Sequence, residues 1–196
     1  MSMVDVMLER VPVCALRDRK LRERLAAVVA ERGIRTIVET GLDKGGSTLV
    51  FAGMAEHVIG VDNMGDRVGG VAKMMSEVGV TNVRLVPQNS PDALRELIAA
   101  GLDASTTLFF LDAHWQKYWP LKDEIGAITR GHGVLVMHDA RVPGCPGLGV
   151  DEYDGQELSY EYLRDVLAAW SPAHRVEYND DTAEWPRRGV MIVYPS

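Results

Sequence analysis

The chain of 196 residues is long enough for one domain with a substantial core, and its composition is that of a globular protein. Its formal net charge of −7, with acids and bases interleaved, argues against nucleic acid as a main partner, because a phosphate-tracking surface needs clustered Lys and Arg. The two cysteines lack metal-type spacing and predict no disulfide framework. The sequence has no apolar run of membrane-spanning length, which argues against a membrane partner, and its start does not resemble a signal peptide. We therefore expect a cytoplasmic location.

Residues 1–33 form a predicted N-terminal helical segment. Leucines and valines recur at three- and four-residue spacing between Leu16 and Val29, which indicates a helix with one apolar face. Pro12 is expected to divide the segment into a short leading helix and a longer one, and Gly33 to end it. We expect the longer helix to pack beside a sheet. The leading part is expected to cover a bound ligand or a second subunit, so a homodimer is one expectation.

The stretch of residues 36–52 has the pattern of a strand, a glycine turn and a helix. A β-branched run includes Glu39, and Gly41 and Gly45 follow before a helix that begins near Ser47. Such a unit opens nucleotide-binding α/β sheets, where glycines let a ligand approach the backbone and the helix N-terminus offers free N–H groups. The glycine spacing differs from the dinucleotide fingerprint Gly-x-Gly-x-x-Gly. An ordinary strand-to-helix turn is the alternative interpretation.

The next two predicted strands also end in polar residues. The second strand, over residues 57–62, ends in Asp62, which lies about one βαβ unit after Glu39 and could accept hydrogen bonds from two ribose hydroxyls. A solvated loop aspartate is the alternative. The third strand is followed by Asn89 and Ser90, and Ser90 before a proline is typical of a helix N-cap.

The fourth and fifth predicted strands deliver acids and histidines to one edge of the sheet. The apolar fourth strand ends in Asp112, with His114 two residues further on. The fifth strand leads into His138 and Asp139. Because open α/β sheets bind ligands at the carboxyl ends of their parallel strands, these four side chains are expected to converge at one site.

The rest of the chain contains a long loop and a closing hairpin. Residues 141–155 are rich in Gly and Pro, and a loop of this length in a compact domain is usually functional, so we predict a lid there. A helix over residues 159–170 precedes two strands, at 175–178 and 189–194, that fit an antiparallel hairpin. Strands that alternate with helices before a terminal hairpin predict a single α/β domain over residues 1–196.

The order of these features resembles the class I S-adenosylmethionine (SAM) methyltransferases, whose motif I is similar to the stretch from Glu39 to Ser47. The resemblance implies a three-layer, doubly wound, mostly parallel seven-stranded sheet and a SAM-dependent enzyme. Members of this class often read the adenine amino group with residues that follow the third strand, where Asn89 and Ser90 stand here. The SAM contacts that the resemblance implies are Glu39, Gly41, Gly45, Ser47, Asp62, Asn89, Ser90 and Asp112.

A more specific resemblance, to particular methyltransferase families, rests on two stretches. They are Phe110-Leu111-Asp112-Ala113-His114-Trp115 and, further along the chain, His138-Asp139. It is similar to metal-dependent O-methyltransferases of the catechol type and to the macrocin O-methyltransferase and cephalosporin-hydroxylase-like group. In those families, acids after strands four and five hold Mg²⁺, which binds a substrate hydroxylate. The resemblance implies transfer of a methyl group to an oxygen of a small-molecule acceptor. It also implies Asp112, Asp139 and His138 as the metal ligands.

The chain departs from both family patterns after strand five. Ala140 follows Asp139 where the catechol type has Asn, and His138 stands where the other group has an acid. Imidazole suits Zn²⁺, Fe²⁺ or Mn²⁺ better than Mg²⁺, so the metal is left open among these four ions. A metal-independent enzyme is the alternative, with His114 or His138 as general base. The catalytic candidates are therefore Asp112, His114 and His138.

Two further alternatives concern the function class and the aromatic residues. A module that binds SAM or a nucleotide without methyl transfer would keep Glu39, Asp62 and the glycines, but it would not need the second cluster of acids and histidines. Trp115, Tyr118 and Trp119 could form an acceptor wall or a cation–π contact with the sulfonium of SAM. Ordinary packing under the loop is the other interpretation of these three residues.

Overall fold

A computed structural model of the protein describes residues 14–114 and 118–196. The expectations for Pro12, for the leading part of the N-terminal segment and for Trp115 lie outside the described residues. None of the helices in the described ranges is long and apolar enough to cross a lipid bilayer. The helices are α1 (Arg19–Glu31), α2 (Gly46–Ala52), α3 (Gly65–Glu77), α4 (Ser90–Ala99), α5 (Leu121–Ala127) and α6 (Tyr160–Trp170).

Seven strands form one sheet in the order β3-β2-β1-β4-β5-β9-β8. Strands β1 to β5 pair in parallel, and β9 runs antiparallel to both β5 and β8. This confirms the predicted doubly wound, mostly parallel sheet with a closing hairpin. The strands are β1 (Thr36–Thr40), β2 (His57–Asp62), β3 (Val83–Pro87), β4 (Thr107–Leu111), β5 (Val134–His138), β6 (Glu152–Tyr153), β7 (Gln156–Glu157), β8 (Arg175–Tyr178) and β9 (Val190–Tyr194).

Helices cover both faces of the sheet, which gives the predicted three layers. One apolar core packs α1 and α2 against strand residues such as Ile37 and Phe110. The other packs α4, α5 and α6 against the alternate residues, such as Val38 and Phe109. Successive side chains of a strand point to opposite faces, so the near-continuous apolar runs of β4 and β5 fill both cores.

Two local features differ from the predictions. The longer N-terminal helix begins at Arg19, because the Asp18 carboxylate accepts hydrogen bonds from the backbone N–H groups of Lys20 and Leu21 at 2.9 and 3.1 Å and so caps the helix. The predicted lid, residues 141–155, ends inside a small hairpin, in which Glu152 of β6 pairs with Glu157 of β7. A two-residue strand is too short to show the alternating pattern that would predict it.

The end of β5 is held against β9 by a close backbone contact at Gly189. The Ala140 N–H donates a hydrogen bond to the Gly189 carbonyl at 2.9 Å, and a Cβ at position 189 would overlap the carbonyl oxygen of Ala140. Only glycine fits there without moving one backbone segment away from the other. This contact fixes the segment that follows Asp139 and therefore supports the site described below.

We predict that Gly189→Ala will destabilise the protein by about 2 kcal/mol or more, because a backbone clash in a packed region cannot relax cheaply. Urea unfolding measures the free energy of unfolding. Gly69→Ala is the matched control, since Gly69 lies in exposed α3 with open space at its Cβ position, and alanine there should leave stability unchanged or raise it by about 1 kcal/mol. Equal stability of the two variants would contradict the proposed contact.

Candidate active site

A cavity of about 620 Å³ opens at the carboxyl ends of the central parallel strands. The cavity contains most of the residues that the sequence analysis selected. Asn89 is exposed and does not line the cavity, and Gly45 does not line it either. The predicted residues that do line it are Glu39, Gly41, Ser47, Asp62, Ser90, Asp112, His114, His138 and Asp139.

The two turn glycines are required by packing within the protein. Gly41 has a φ of +82°, and a Cβ there would lie 2.5 Å from the backbone oxygen of Asp112. Gly45 has a φ of +76°, and a Cβ there would lie 2.8 Å from a methyl group of Val71 in α3. The expectation that both glycines make room for a ligand is therefore revised for Gly45, whose open side faces helix α3. Gly41 both lines the cavity and allows β1 and β4 to end close together.

Asp62 is held rigidly at the end of β2. One carboxylate oxygen accepts a hydrogen bond from the Leu42 N–H at 3.0 Å, and the other accepts one from the Met64 N–H at 2.9 Å. Each carboxylate oxygen can accept a second hydrogen bond. Asp62 therefore positions the glycine turn, and Nη1 of Arg67 lies 3.7 Å from its Oδ2. The carboxylate keeps further acceptor capacity at the cavity, as the ribose assignment requires.

Glu39 is buried beneath the cavity. The Thr48 hydroxyl donates a hydrogen bond to its carboxylate at 2.5 Å. Burial raises the pKa of Glu39 to about 8, and the hydrogen bond from Thr48 opposes this rise. The side chain therefore carries a proton between about pH 4.5 and 8, where a solvated glutamate would be ionised.

This proton makes stability depend on pH. The folded state keeps the proton between the ordinary pKa of 4.5 and the raised value of about 8, while the unfolded state releases it, so stability is lost as pH rises through this window. We predict that Glu39→Gln will flatten this dependence and be relatively more stable than the parent at pH 8. Urea unfolding of the ligand-free protein from pH 5 to 8 tests this, with exposed Glu31→Gln as control. If the stability of the parent protein does not fall relative to that of Glu39→Gln as the pH rises, the raised pKa assigned to Glu39 is contradicted.

The four predicted acids and histidines of strands four and five do converge. His114 Nε2 and His138 Nδ1 lie 3.1 and 3.3 Å from the same oxygen, Oδ1 of Asp112. His138 Nδ1 also lies 3.1 Å from Oδ1 of Asp139. Asp139 adopts a left-handed φ of +63°, a conformation that few non-glycine residues accept and that is often found at functional sites.

The charges of this cluster reinforce one another. Burial alone would lower the pKa of His138, but Asp112 and Asp139 outweigh it and raise that pKa to about 10. Burial also opposes the charge on His114, whose pKa is nevertheless raised to about 10 by Asp112 and Asp151. Burial would raise the pKa of Asp112, but the two histidines lower it to about 2. Without a further cation, both histidines therefore hold protons at neutral pH.

Like its partner Asp151, Arg188 is a site residue that the sequence analysis did not select. Its Nε donates to Asp139 and its Nη2 donates to Asp151, whose carboxylate also lies 2.8 Å from Nδ1 of His114. Arg188 comes from the polar connection between β8 and β9, and only the antiparallel return of β9 beside β5 brings it here. Gly149 faces the guanidinium closely, since a Cβ there would lie 2.8 Å from Nη1 of Arg188.

The predicted lid, residues 141–155, is anchored to the site by its backbone. The Asp151 N–H donates to the Asp139 carbonyl at 2.9 Å, and the Gly149 N–H donates to the Arg187 carbonyl at 2.9 Å. Any lid motion would thus be confined to the stretch before Gly149 or to the β6–β7 hairpin. The lid remains a prediction.

The aromatic residues after Asp112 favour packing over a free acceptor wall. Trp119 is buried, and its ring stacks between Tyr153 at 4.9 Å and Tyr162 at 5.1 Å. Tyr153 in turn stacks against the ring of His114, with centroids 6.4 Å apart. Tyr118 is exposed. Trp119 therefore supports the lid hairpin and, through Tyr153, the orientation of His114.

Comparison with known proteins agrees with the fold. No protein-family model matches the chain. A tRNA (guanine-N(7)-)-methyltransferase from Shewanella piezotolerans is 33% identical over 161 residues, which are 81% of this chain and 65% of that protein. The chain thus spans just under two thirds of the length of this relative.

Two solved structures share the architecture. A Staphylococcus aureus protein assigned as a caffeoyl-CoA O-methyltransferase has a TM-score of 0.63 at 15% identity and is matched over 100% of this chain and 93% of its own. The methyltransferase PaMTH1 from Podospora anserina, bound to S-adenosylhomocysteine, has a TM-score of 0.62 at 14% identity, over 100% and 89% of the two chains. The protein therefore has the class I SAM-dependent methyltransferase fold.

Proposed function

We propose that the protein is a SAM-dependent methyltransferase that transfers the methyl group to a hydroxyl oxygen of a small molecule. The observation that carries this proposal is the cluster of Asp112, Asp139, His114 and His138 at one end of a cavity that has Asp62 at the other. A module that only binds SAM needs the Asp62 end alone. The second cluster supports a chemical step.

The cavity fits SAM. Its volume lies in the range of about 300–1,000 Å³ that is usual for small-molecule sites. Asp62 offers acceptor lone pairs to ribose hydroxyls, and the order of the strands places Asp112 two strands away from β2. When bound, SAM supplies an electrophilic methyl group on a sulfonium. The chain itself binds the adenosyl part at β2 and directs the methyl end towards β4 and β5.

The cluster also fits a divalent cation. The ligand atoms of Asp112, His138 and Asp139 all lie within 4.8 Å of one another, and Nδ1 of His138 is buried without a hydrogen bond of good geometry to any described residue. Its distances of 3.1 and 3.3 Å to the two carboxylates match the roughly 3 Å that separates neighbouring ligands around an octahedral ion. The mixed set of oxygen and nitrogen suits Mn²⁺, Fe²⁺ or Zn²⁺ as well as Mg²⁺.

A hydroxyl acceptor explains why such a set would be needed. A protonated hydroxyl is a weak nucleophile, and a bound cation lowers its pKa and fixes its oxygen. Asp112 and Asp139 would hold the cation, while Arg188 keeps Asp139 oriented from its other side. The metal-independent alternative would require His114 or His138 to accept a proton, but the carboxylates around them raise both pKa values to about 10. A general base must be unprotonated at the working pH, which these pKa values oppose. His138 would also have to lose its proton to bind a cation, but a cation held by Asp112 and Asp139 would itself displace that proton.

A nucleic acid acceptor is the second candidate, because the relative from Shewanella is a tRNA (guanine-N(7)-)-methyltransferase. The expectation that nucleic acid is excluded therefore has no support beyond net charge. Two observations favour the hydroxyl acceptor. Guanine N7 already presents a lone pair and needs neither a base nor a metal. In addition, Arg19, Arg24 and Arg35 on or near α1 each lie beside a glutamate, which reduces the local positive potential that a phosphate would meet.

The first prediction of this proposal concerns the cofactor. Asp62→Ala should weaken SAM binding by about 1–3 kcal/mol, the scale for losing hydrogen bonds to a charged group. Isothermal titration calorimetry measures the affinity, circular dichroism checks the fold, and Asp66→Ala in the exposed first turn of α3 is the control. Unchanged SAM affinity in a folded Asp62→Ala protein would overturn the ribose assignment.

The second prediction concerns the cation and the acceptor. Methyl transfer from labelled SAM to a panel of phenols and alcohols should stop in chelator and return with one of the four divalent ions. Asp112→Asn and Asp139→Asn should each lower the rate by about 100-fold or more. Asp165→Asn, at an almost fully exposed site, is the control and should leave the rate unchanged. Full activity in chelator, with both variants active, would exclude a catalytic metal. Label appearing in total tRNA and not in the panel would favour the nucleic acid acceptor.

A further inference from the structure

The charged edge of the cavity contains two groups of residues that could hold a cation, and the two groups share Asp139. The first triad is Asp112, His138 and Asp139, which the cation of the proposed function would occupy. The second triad is His114, Asp139 and Asp151. Within each triad the three ligand atoms lie within 4.8 Å of one another, so each triad has the spacing of a metal site.

Each triad contains a buried imidazole nitrogen that calls for a partner. Nδ1 of His138 in the first triad and Nδ1 of His114 in the second are both buried, and neither makes a hydrogen bond of good geometry to a described residue. The side chain of His138 is only 8% exposed. Buried polar atoms without a hydrogen bond are uncommon in folded proteins. Carboxylate oxygens and imidazole nitrogens are ligands for divalent metals, so the residues of both triads suit a cation.

Arg188 distinguishes the second triad from the first. It contacts both acids of the second triad, since its Nε donates to Asp139 and its Nη2 donates to Asp151. Of the two acids in the first triad, it contacts Asp139. A guanidinium stays charged throughout the accessible pH range. A divalent ion in the second triad would lie a few ångströms from this fixed positive charge and would be repelled by it.

The backbone holds the guanidinium in this position. Arg187 has a left-handed φ of +55°, a conformation that few non-glycine residues accept. The Gly149 N–H donates to the Arg187 carbonyl, and the Gly189 N–H donates to the Gly149 carbonyl, both at 2.9 Å, so the chain is fixed on each side of Arg188. A Cβ at Gly149 would lie 2.8 Å from Nη1 and 2.9 Å from Cδ of Arg188. Arg188 therefore has a closely fitted place between the two carboxylates.

We propose that Arg188 occupies the second triad in place of a second metal ion, so that the centre holds one divalent ion and one guanidinium. With neutral histidines as ligands, the three carboxylates of Asp112, Asp139 and Asp151 are balanced by one divalent ion and one guanidinium. A second divalent ion would leave a buried excess of positive charge. Pairs of metal ions about 3.5–4 Å apart occur in enzymes such as phosphatases and polymerases, and Arg188 excludes such a pair here. This inference rests on the cation of the proposed function and assigns the selection of a single ion to Arg188.

The test counts the divalent ions bound by the full chain, with Mn²⁺ as the probe, by calorimetry and by metal analysis after dialysis. The parent protein should bind one ion. Arg188→Met removes the charge but keeps an apolar stem, so this variant should bind two ions. Adding Asp151→Asn to Arg188→Met should restore one ion, because the second triad then lacks an acid. Arg35→Met is the charge-loss control and should bind one ion, since exposed Arg35 precedes β1 at the end of the sheet away from the cavity.

Electron paramagnetic resonance adds a measurement that does not depend on catalysis. Two Mn²⁺ ions about 3.5–4 Å apart, with Asp139 shared between them, should couple magnetically. Arg188→Met loaded with Mn²⁺ should therefore show a coupled spectrum, and the parent protein should show the spectrum of an isolated ion.

Each outcome decides a separate point. Two ions in the parent protein would overturn the role of Arg188 while leaving the proposed cation intact, and so would a folded Arg188→Met protein that binds one ion or none. If Arg188→Met does not fold even with Mn²⁺ present, Arg188→Gln decides, because it is neutral but can still donate a hydrogen bond. Two ions are expected there as well, and one or none overturns the inference. A parent protein that binds none of the four divalent ions would instead remove the metal-dependent function on which the inference rests.

Discussion

Three carboxylates and three cationic side chains meet at one edge of the sheet, and their mutual compensation is what allows them to be buried together. Each acid has a cation within reach: both histidines contact Asp112, while Arg188 bridges Asp139 and Asp151. A buried charge that loses its partner is strongly destabilising, so the interlocked pairs hold one another in place. The same carboxylates could instead share a divalent ion if His138 gave up its proton. The arrangement thus stabilises this edge of the fold and also offers a candidate set of ligands for a divalent ion.

The antiparallel strand β9 completes this edge. It places Gly189 against Ala140 and so fixes the chain that follows Asp139, and it carries Arg188 from a distant connection to the cluster. Arg188 then ties the segment around Asp151 to the end of β5. The long Gly- and Pro-rich stretch, which could have been a free loop, is therefore part of the wall of the site.

The order of the strands places the residues proposed to bind SAM and the residues proposed for catalysis in different parts of the cavity. The ribose candidate Asp62 ends β2, and the base candidate Ser90 follows β3, while the charged cluster follows β4 and β5. Buried acids lie beneath both halves. Glu39, with a pKa of about 8, lies under the glycine turn, and Glu124, with a pKa of about 7, is buried in α5. Both gain their unusual protonation from burial, which penalises the charged form.

Local patterns in the amino-acid sequence are enough to predict the fold and much of the candidate site. Apolar runs that alternate with helical patterns mark the strands and helices, and parallel strands must bring their carboxyl ends to one edge. Asp62, Asp112, His138 and Asp139 can therefore be assigned to one edge of the sheet from the sequence alone.

Features that depend on contacts between distant segments are visible only in the folded chain. Arg188 lies 49 residues from its partner Asp139, and it reaches the site through the return of β9, which no local pattern encodes. Glu124 looks in the sequence like one more charge on a helix, and only the packing of α5 beside Thr40 and Ser90 shows that its carboxylate is buried. Periodicity records which face of an element is apolar, but the pairing of distant elements is set by how those faces pack against one another in three dimensions.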